Sequence, residues 1–189
     1  MKILLLDNHD SFTYNLAELM RSQCKVNFNI LTPERIVLEE VDNYDKILFS
    51  PGPGRPDEHP VMDKILRIYS GKKPVLGVCL GMQTIALHYG ASVLNLDNVV
   101  HGQPRKLKIL NFTHPLFHGI QQGPSVGLYH SWAVNRENLP SCLEILALSS
   151  EGIIMALTHK EFDICGVQFH PESIMTPQGN QMLINWLDA

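Results

Sequence analysis

The chain lacks several features that would place it in other classes. No apolar run approaches the ~20 residues of a membrane span, and the N-terminal Ile3-Leu4-Leu5-Leu6 stretch is broken by Asp7, too short for a signal peptide. Positive charge is not in excess. Lys and Arg number 15 against 19 Asp and Glu, and the formal charge of −4 gives no reason to expect nucleic acid. The four cysteines, Cys24, Cys79, Cys142 and Cys165, form no Cys-x-x-Cys pair, so a cytoplasmic chain with reduced thiols is expected. The Pro/Gly-rich loop at 50–56 does not match Gly-x-x-x-x-Gly-Lys-Ser/Thr, which argues against a nucleotide there. No internal repeat, low-complexity segment or linker interrupts the sequence. Its 189 residues suit one domain over 1–189 with a real hydrophobic core.

What is present is a reactive-looking turn. Pro74-Val75-Leu76-Gly77-Val78 reads as a buried strand, and Gly77-x-Cys79-x-Gly81 leads straight into a helical pattern. A tight strand-to-helix turn of this kind exposes its central side chain as a nucleophile elbow. The small flanking glycines let strand and helix pack around a strained residue. A thiol at a helix N-terminus is favoured as thiolate by the dipole. A lone cysteine is more often buried core. The two glycines and the downstream sequence reverse that preference.

Downstream stands Val167-Gln168-Phe169-His170-Pro171-Glu172-Ser173. A cysteine nucleophile needs a base, and the base needs an orienting group. In an extended segment His170 and Glu172 point to the same side. Glu172 would then fix the His170 tautomer and leave the other ring nitrogen for Cys79. Ser50-Pro51-Gly52-Pro53-Gly54-Arg55-Pro56 follows a strand at Lys46–Phe49. Its backbone suits an oxyanion hole, with Gly52 N–H and Leu80 N–H as the donors. Alone, either segment reads as an ordinary turn.

The remaining pattern alternates strand and helix. Strands are expected at 2–6, 26–31, 46–49 and 74–78. Helices are expected at 61–69, at 80–89, at 178–187, and over Phe12, Leu16, Leu19 and Met20 with Asp10 or Ser11 as cap. From 92 to 127 the pattern shifts to short strands with Gly and Pro breaks. Strands resume near 144–149, 153–158 and 164–169. This order predicts an α/β fold: an open, mostly parallel sheet flanked by helices, with an antiparallel extension. The candidate site residues all fall at or beyond the C-terminal ends of strands, where open α/β sheets bind ligands. His114 and His118 have metal-like i, i+4 spacing, but Pro115 and Gly119 oppose a helix and no third ligand is near, so no metal and no cofactor are expected. Ser131 follows His130 but lacks an elbow, and reads as a substrate-lining loop.

The three blocks Ser50-Pro51-Gly52-Pro53-Gly54, Gly77-Val78-Cys79-Leu80-Gly81-Met82-Gln83 and Phe169-His170-Pro171-Glu172-Ser173 together resemble the class I (triad) glutamine amidotransferases. Asp7-Asn8-His9-Asp10-Ser11-Phe12-Thr13-Tyr14-Asn15-Leu16 and Tyr129-His130-Ser131-Trp132 look like the glutaminase subunit of anthranilate synthase or of aminodeoxychorismate synthase. The resemblance implies hydrolysis of L-glutamine to glutamate and ammonia through a thioester on Cys79. It also implies a larger, chorismate-binding partner subunit that uses the ammonia. It implies that Gln83 and the backbones of Gly52, Gly54, Ser131 and Trp132 hold the glutamine. Three positions depart from the family's habit: His9 replaces Tyr, Gln103 replaces Lys, and Leu128 replaces Arg. A γ-glutamyl hydrolase or peptidase could use the same triad, and a non-catalytic module could keep the fold. Ser11 and Tyr14 are the expected partner contacts.

Overall fold

The computed structural model describes residues 1–22 and 26–189, with backbone only at 97–101. Cys24 lies outside them. In chain order the elements are β1 (Lys2–Leu6), α1 (Thr13–Arg21), β2 (Asn27–Leu31), β3 (Lys46–Phe49), α2 (Pro60–Tyr69), β4 (Val75–Val78), α3 (Leu80–His88) and β5 (Val93–Lys106). They continue with β6 (Lys108–Ile109), β7 (Ser125–Val134), β8 (Leu143–Leu148), β9 (Ile154–His159), β10 (Ile164–Val167) and α4 (Gly179–Asp188).

Eight strands form one sheet in the order β2-β1-β3-β4-β10-β9-β8-β6. The first five are mutually parallel. The β9, β8 and β6 additions are antiparallel. Parallel strands buried on both faces need apolar residues at every position, and β1 shows this. Ile3 and Leu5 face one core, Leu4 and Leu6 the other. Leu16, Ala17 and Met20 of α1 and Met182, Leu183, Trp186 and Leu187 of α4 cover the first face. Met62, Ile65, Leu66 and Tyr69 of α2 and Met82, Ile85 and Ala86 of α3 cover the second. Residues 80–86 of α3 are all buried, so this helix runs through the interior and not along the surface.

Three local expectations change. The expected short strands over 92–127 are instead dominated by β5, a strand of 14 residues with two register shifts. It pairs with β7 in a separate antiparallel ribbon. The partners lie from 19 positions apart (Lys106 and Ser125) to 41 (Val93 and Val134), and Gly102 falls at a register shift within the strand and not at its end. Ser131 and Trp132 lie inside β7, in neither a loop nor a strand end. Helix α1 starts at Thr13 with Phe12 in the cap position. Asp10 Oδ1 accepts from Phe12 N–H at 2.8 Å, tightening the turn before the helix instead of capping it.

The parallel order β1-β3-β4-β10 is what assembles the site. The C-terminal ends of four adjacent strands deliver Asn8, the 50–54 loop, Cys79 and the 168–172 segment to one sheet edge.

Candidate active site

Cys79 sits between β4 and α3 with φ 52° and ψ −102°. Outside glycine, a positive φ is rare and strained, and held only where neighbours overdetermine it. Backbone bonds do so here: Cys79 N–H donates to Val167 C=O at 2.7 Å, and Gln83 N–H donates to Cys79 C=O at 3.1 Å. The turn also needs the glycines. A Cβ on Gly81 would stand 2.7 Å from Phe49 Cβ, and one on Gly77 would collide with the Gly81 backbone.

His170 and Glu172 are fully interior, their side chains 3% and 0% exposed. His170 Nδ1–H donates to Glu172 Oε1 at 2.7 Å, which leaves Nε2 as the free ring nitrogen. That Nε2 is buried without a hydrogen-bond partner in the resting chain. Burial alone would lower the His170 pKa, but the adjacent Cys79 sulfur and Glu172 carboxylate outweigh it and hold the ring well above its ordinary range. Such a ring can take and keep a proton from the thiol. Its position does not depend on Glu172 alone. Phe12 and Tyr129 pack edge-on at 5.0 and 4.9 Å, and Thr176 Oγ1 donates to the His170 carbonyl at 2.6 Å.

Gly52, Gly54, Leu80, Gln83, Ser131 and Trp132 line one cavity of about 150 Å³ with Cys79 at its wall. His170 and Glu172 are not among its lining residues. Two larger clefts, each about 330 Å³, lie elsewhere, around His114 and Trp186 and around Asp63 and His88. Neither contains Cys79, so chemistry and not size locates the site. His114 Nδ1 accepts from Leu116 N–H at 3.3 Å and closes a short turn.

The 50–54 loop is tied to the first strand. Asn8 and Ser50 are both wholly buried. Asn8 N–H donates to Ser50 Oγ at 2.9 Å, and Asn8 Nδ2 donates to the Ser50 carbonyl at 3.1 Å. A Cβ on Gly52 would stand 2.5 Å from Leu80 Cδ2 and 2.8 Å from Asn8 Cβ, so only glycine lets the loop reach Leu80. Leu80 N–H opens α3 and has no partner within the helix. Gly52 and Leu80 thus stand close together beside the sulfur. Arg55 lies over the ring of the cavity-lining Trp132 at 4.7 Å and pairs with Asp57 at 3.0 Å.

Two residues escaped the sequence reading. Gln168 is wholly buried and its Nε2 donates to Cys79 Sγ at 3.4 Å. Asn8 holds the 50–54 loop. Both residues stand within segments that the sequence singles out, Gln168 beside His170 and Asn8 in the 7–16 block, but the pattern assigns neither a role of its own. The three departures are also placed. His9 has φ 60° and its ring pairs with Glu34 at 3.0 Å, both exposed. Gln103 is exposed and accepts from Arg105 at 2.8 Å. Leu128 is core.

Sheet order, elbow and His–Glu pair together define an open α/β fold that carries a strained cysteine and a buried His–Glu pair at one sheet edge. The chain belongs to the class-I glutamine amidotransferase family, whose model matches residues 4–189. It is similar to a Haemophilus influenzae protein provisionally named anthranilate synthase component II, with 46% identity over 99% of this chain and 96% of that one. It is also similar to Escherichia coli aminodeoxychorismate synthase component 2, with 39% identity over 98% of each. A crystal structure of a provisionally named GMP synthase protein from Thermoplasma acidophilum superposes with a TM-score of 0.89 at 28% identity, covering 100% of this chain and 92% of that one. No helix among the described residues is long and apolar enough to cross a membrane.

Proposed function

We propose that the chain is the glutaminase subunit of an anthranilate synthase, releasing ammonia from L-glutamine for a chorismate-binding partner. The observation that carries the chemistry is the strained Cys79 set against a buried His170–Glu172 pair at 2.7 Å. Cys79 passes its proton to His170 Nε2, and Sγ attacks the glutamine side-chain carbonyl. The oxyanion that forms is met by Gly52 N–H and Leu80 N–H. The C–N bond breaks as His170 returns the proton to the nitrogen, and ammonia leaves a γ-glutamyl thioester. His170 then deprotonates a water, which cleaves the thioester to glutamate and restores the thiol. Glu172 holds the tautomer and stabilises the imidazolium. Gln83, Gly54, Ser131 and Trp132 position the substrate. The cavity of about 150 Å³ suits one amino-acid side chain.

Partner docking is supported by the rim. Ser11 is exposed, Tyr14 is 62% exposed, and Ile174, two residues beyond Glu172, is 94% exposed. Exposed aromatic and aliphatic groups beside a catalytic edge suit an interface. Relatives of both kinds share almost the whole chain. The second reading is therefore aminodeoxychorismate synthase, which uses the same ammonia for folate synthesis. The test is Cys79→Ser in complex with the chorismate-binding subunit. Glutamine-dependent product should vanish while ammonia-dependent product persists, and the aminated product identifies the pathway. Glutaminase activity near the parental level in Cys79→Ser would overturn the mechanism.

A further inference from the structure

A chain of buried carboxamides runs from the sulfur to the substrate-lining ribbon. Gln168 Nε2 donates to Cys79 Sγ at 3.4 Å, and Gln168 Oε1 accepts from Gln83 Nε2 at 3.1 Å. Gln83 Nε2 also donates to the Trp132 carbonyl at 2.8 Å, and that carbonyl accepts from His130 Nδ1–H at 2.9 Å. The orientation of both amides follows from this anchor. A backbone carbonyl only accepts, so the Gln83 atom facing it is the NH₂ group. The same NH₂ faces Gln168, so that partner atom is the oxygen. The remaining Gln168 atom, against the sulfur, is therefore a donor.

We propose that Gln168 is a further catalytic residue, whose carboxamide N–H stabilises the Cys79 thiolate while the Gln83–Trp132 chain aims it. The proposal rests on Cys79 being the nucleophile. Sulfur is a weak acceptor as a thiol and a strong one as a thiolate, so a fixed donor favours the charged form. An amide cannot take the thiol proton, so Gln168 does not compete with His170. It serves twice. The sulfur is negative before attack on glutamine and again when it departs from the thioester, and the same N–H meets both states. His170 must turn its proton toward nitrogen between those moments; Gln168 stays where Gln83, itself anchored on the Trp132 carbonyl, holds it. Gln168 is wholly buried and absent from the cavity lining, so its effect falls on the sulfur and not on substrate affinity.

The test uses the intact chain and iodoacetamide, following carboxamidomethylation of Cys79 by mass spectrometry from about pH 5 to about pH 9, with glutamine protection marking the site. Gln168→Glu preserves the shape and the oxygen that Gln83 donates to, but turns an acceptor toward the sulfur. Gln168→Met removes the donor at similar size. A hydrogen bond to a charged group corresponds to about one to two pH units. The midpoint of Cys79 reactivity should therefore rise by about that much in both variants. Glutaminase kcat should drop about tenfold or more in both variants, with KM close to the parental value in Gln168→Glu, which keeps the oxygen that Gln83 donates to. A parental pH profile and kcat in Gln168→Met would overturn the proposal, and that variant decides alone where Gln168→Glu does not fold. A parent chain whose Cys79 shows no glutamine-protectable alkylation would overturn the nucleophile assignment itself, and this proposal with it.

Discussion

Replacing Glu172 with alanine separates two things the carboxylate could do, locating the His170 ring and fixing its charge and tautomer. The ring is located independently: Phe12 and Tyr129 pack against it at 5.0 and 4.9 Å, and its carbonyl is held by Thr176 Oγ1 at 2.6 Å. What Glu172 alone supplies is the charge-assisted bond to Nδ1–H at 2.7 Å. Such a bond contributes about 1.5–3 kcal/mol, so its loss in the transition state corresponds to about 10- to 150-fold in rate. Removing the base itself, in His170→Ala, should lose more, on the scale of 10²–10⁴-fold for general-base catalysis at roughly neutral pH. Glu172→Gln should fall between the parent and Glu172→Ala, since it can still accept from Nδ1–H without the charge. The assay is glutamate release by the complex at saturating glutamine, with ammonia-dependent turnover as the control for folding and docking. Glu172→Ala with parental activity would make Glu172 a turn residue and refute the triad. A loss in Glu172→Ala larger than in His170→Ala would refute the argument that packing locates the ring.

Gly81→Ala should destabilise the fold by at least about 1–3 kcal/mol, because its Cβ would stand 2.7 Å from Phe49 Cβ and 2.9 Å from the Phe49 carbonyl; an unchanged melting temperature would show that the elbow is looser than described. His130 is buried, its Nδ1–H bonded to Trp132 C=O, and burial pulls its pKa from 6.5 down to about 4. Its folded pKa lies below the unfolded one, so its stabilising contribution is present above pH 6.5 and is lost as pH falls from there toward about 4, a term of about 3 kcal/mol. Urea melts of the parent and His130→Gln should therefore converge over that interval, and parallel pH dependences would refute the assignment. Glutamine turnover by the isolated chain should be low and should rise on adding the chorismate-binding subunit and again with chorismate. The 50–54 loop and the Ser11–Tyr14 rim share one sheet edge, and a partner touching the rim can reset the oxyanion donors. Equal rates in all three conditions would favour a free-standing glutaminase.

The sequence by itself determined the parts whose chemistry is local. The Gly77-x-Cys79-x-Gly81 turn is a matter of adjacent residues and steric room, and the structure builds it as read. His170 and Glu172 are two positions apart, so their alignment follows from backbone geometry. The alternating strands and helices followed from periodicity, and with them the parallel sheet. Tertiary structure alone decided what depends on distant pairing. Gln168 reaches Cys79 across 89 positions, and Asn8 reaches Ser50 across 42. Neither contact has a periodic or compositional signature, because a buried carboxamide reads in sequence like any polar residue. The β5–β7 ribbon was missed for the same reason. Its register is set by pairing between residues 19 to 41 positions apart, and its bulges resemble strand ends when read locally. Sequence offers candidate reacting groups because covalent chemistry demands particular side chains; the donors around them come from the fold because a hydrogen bond asks only for a donor in the right place.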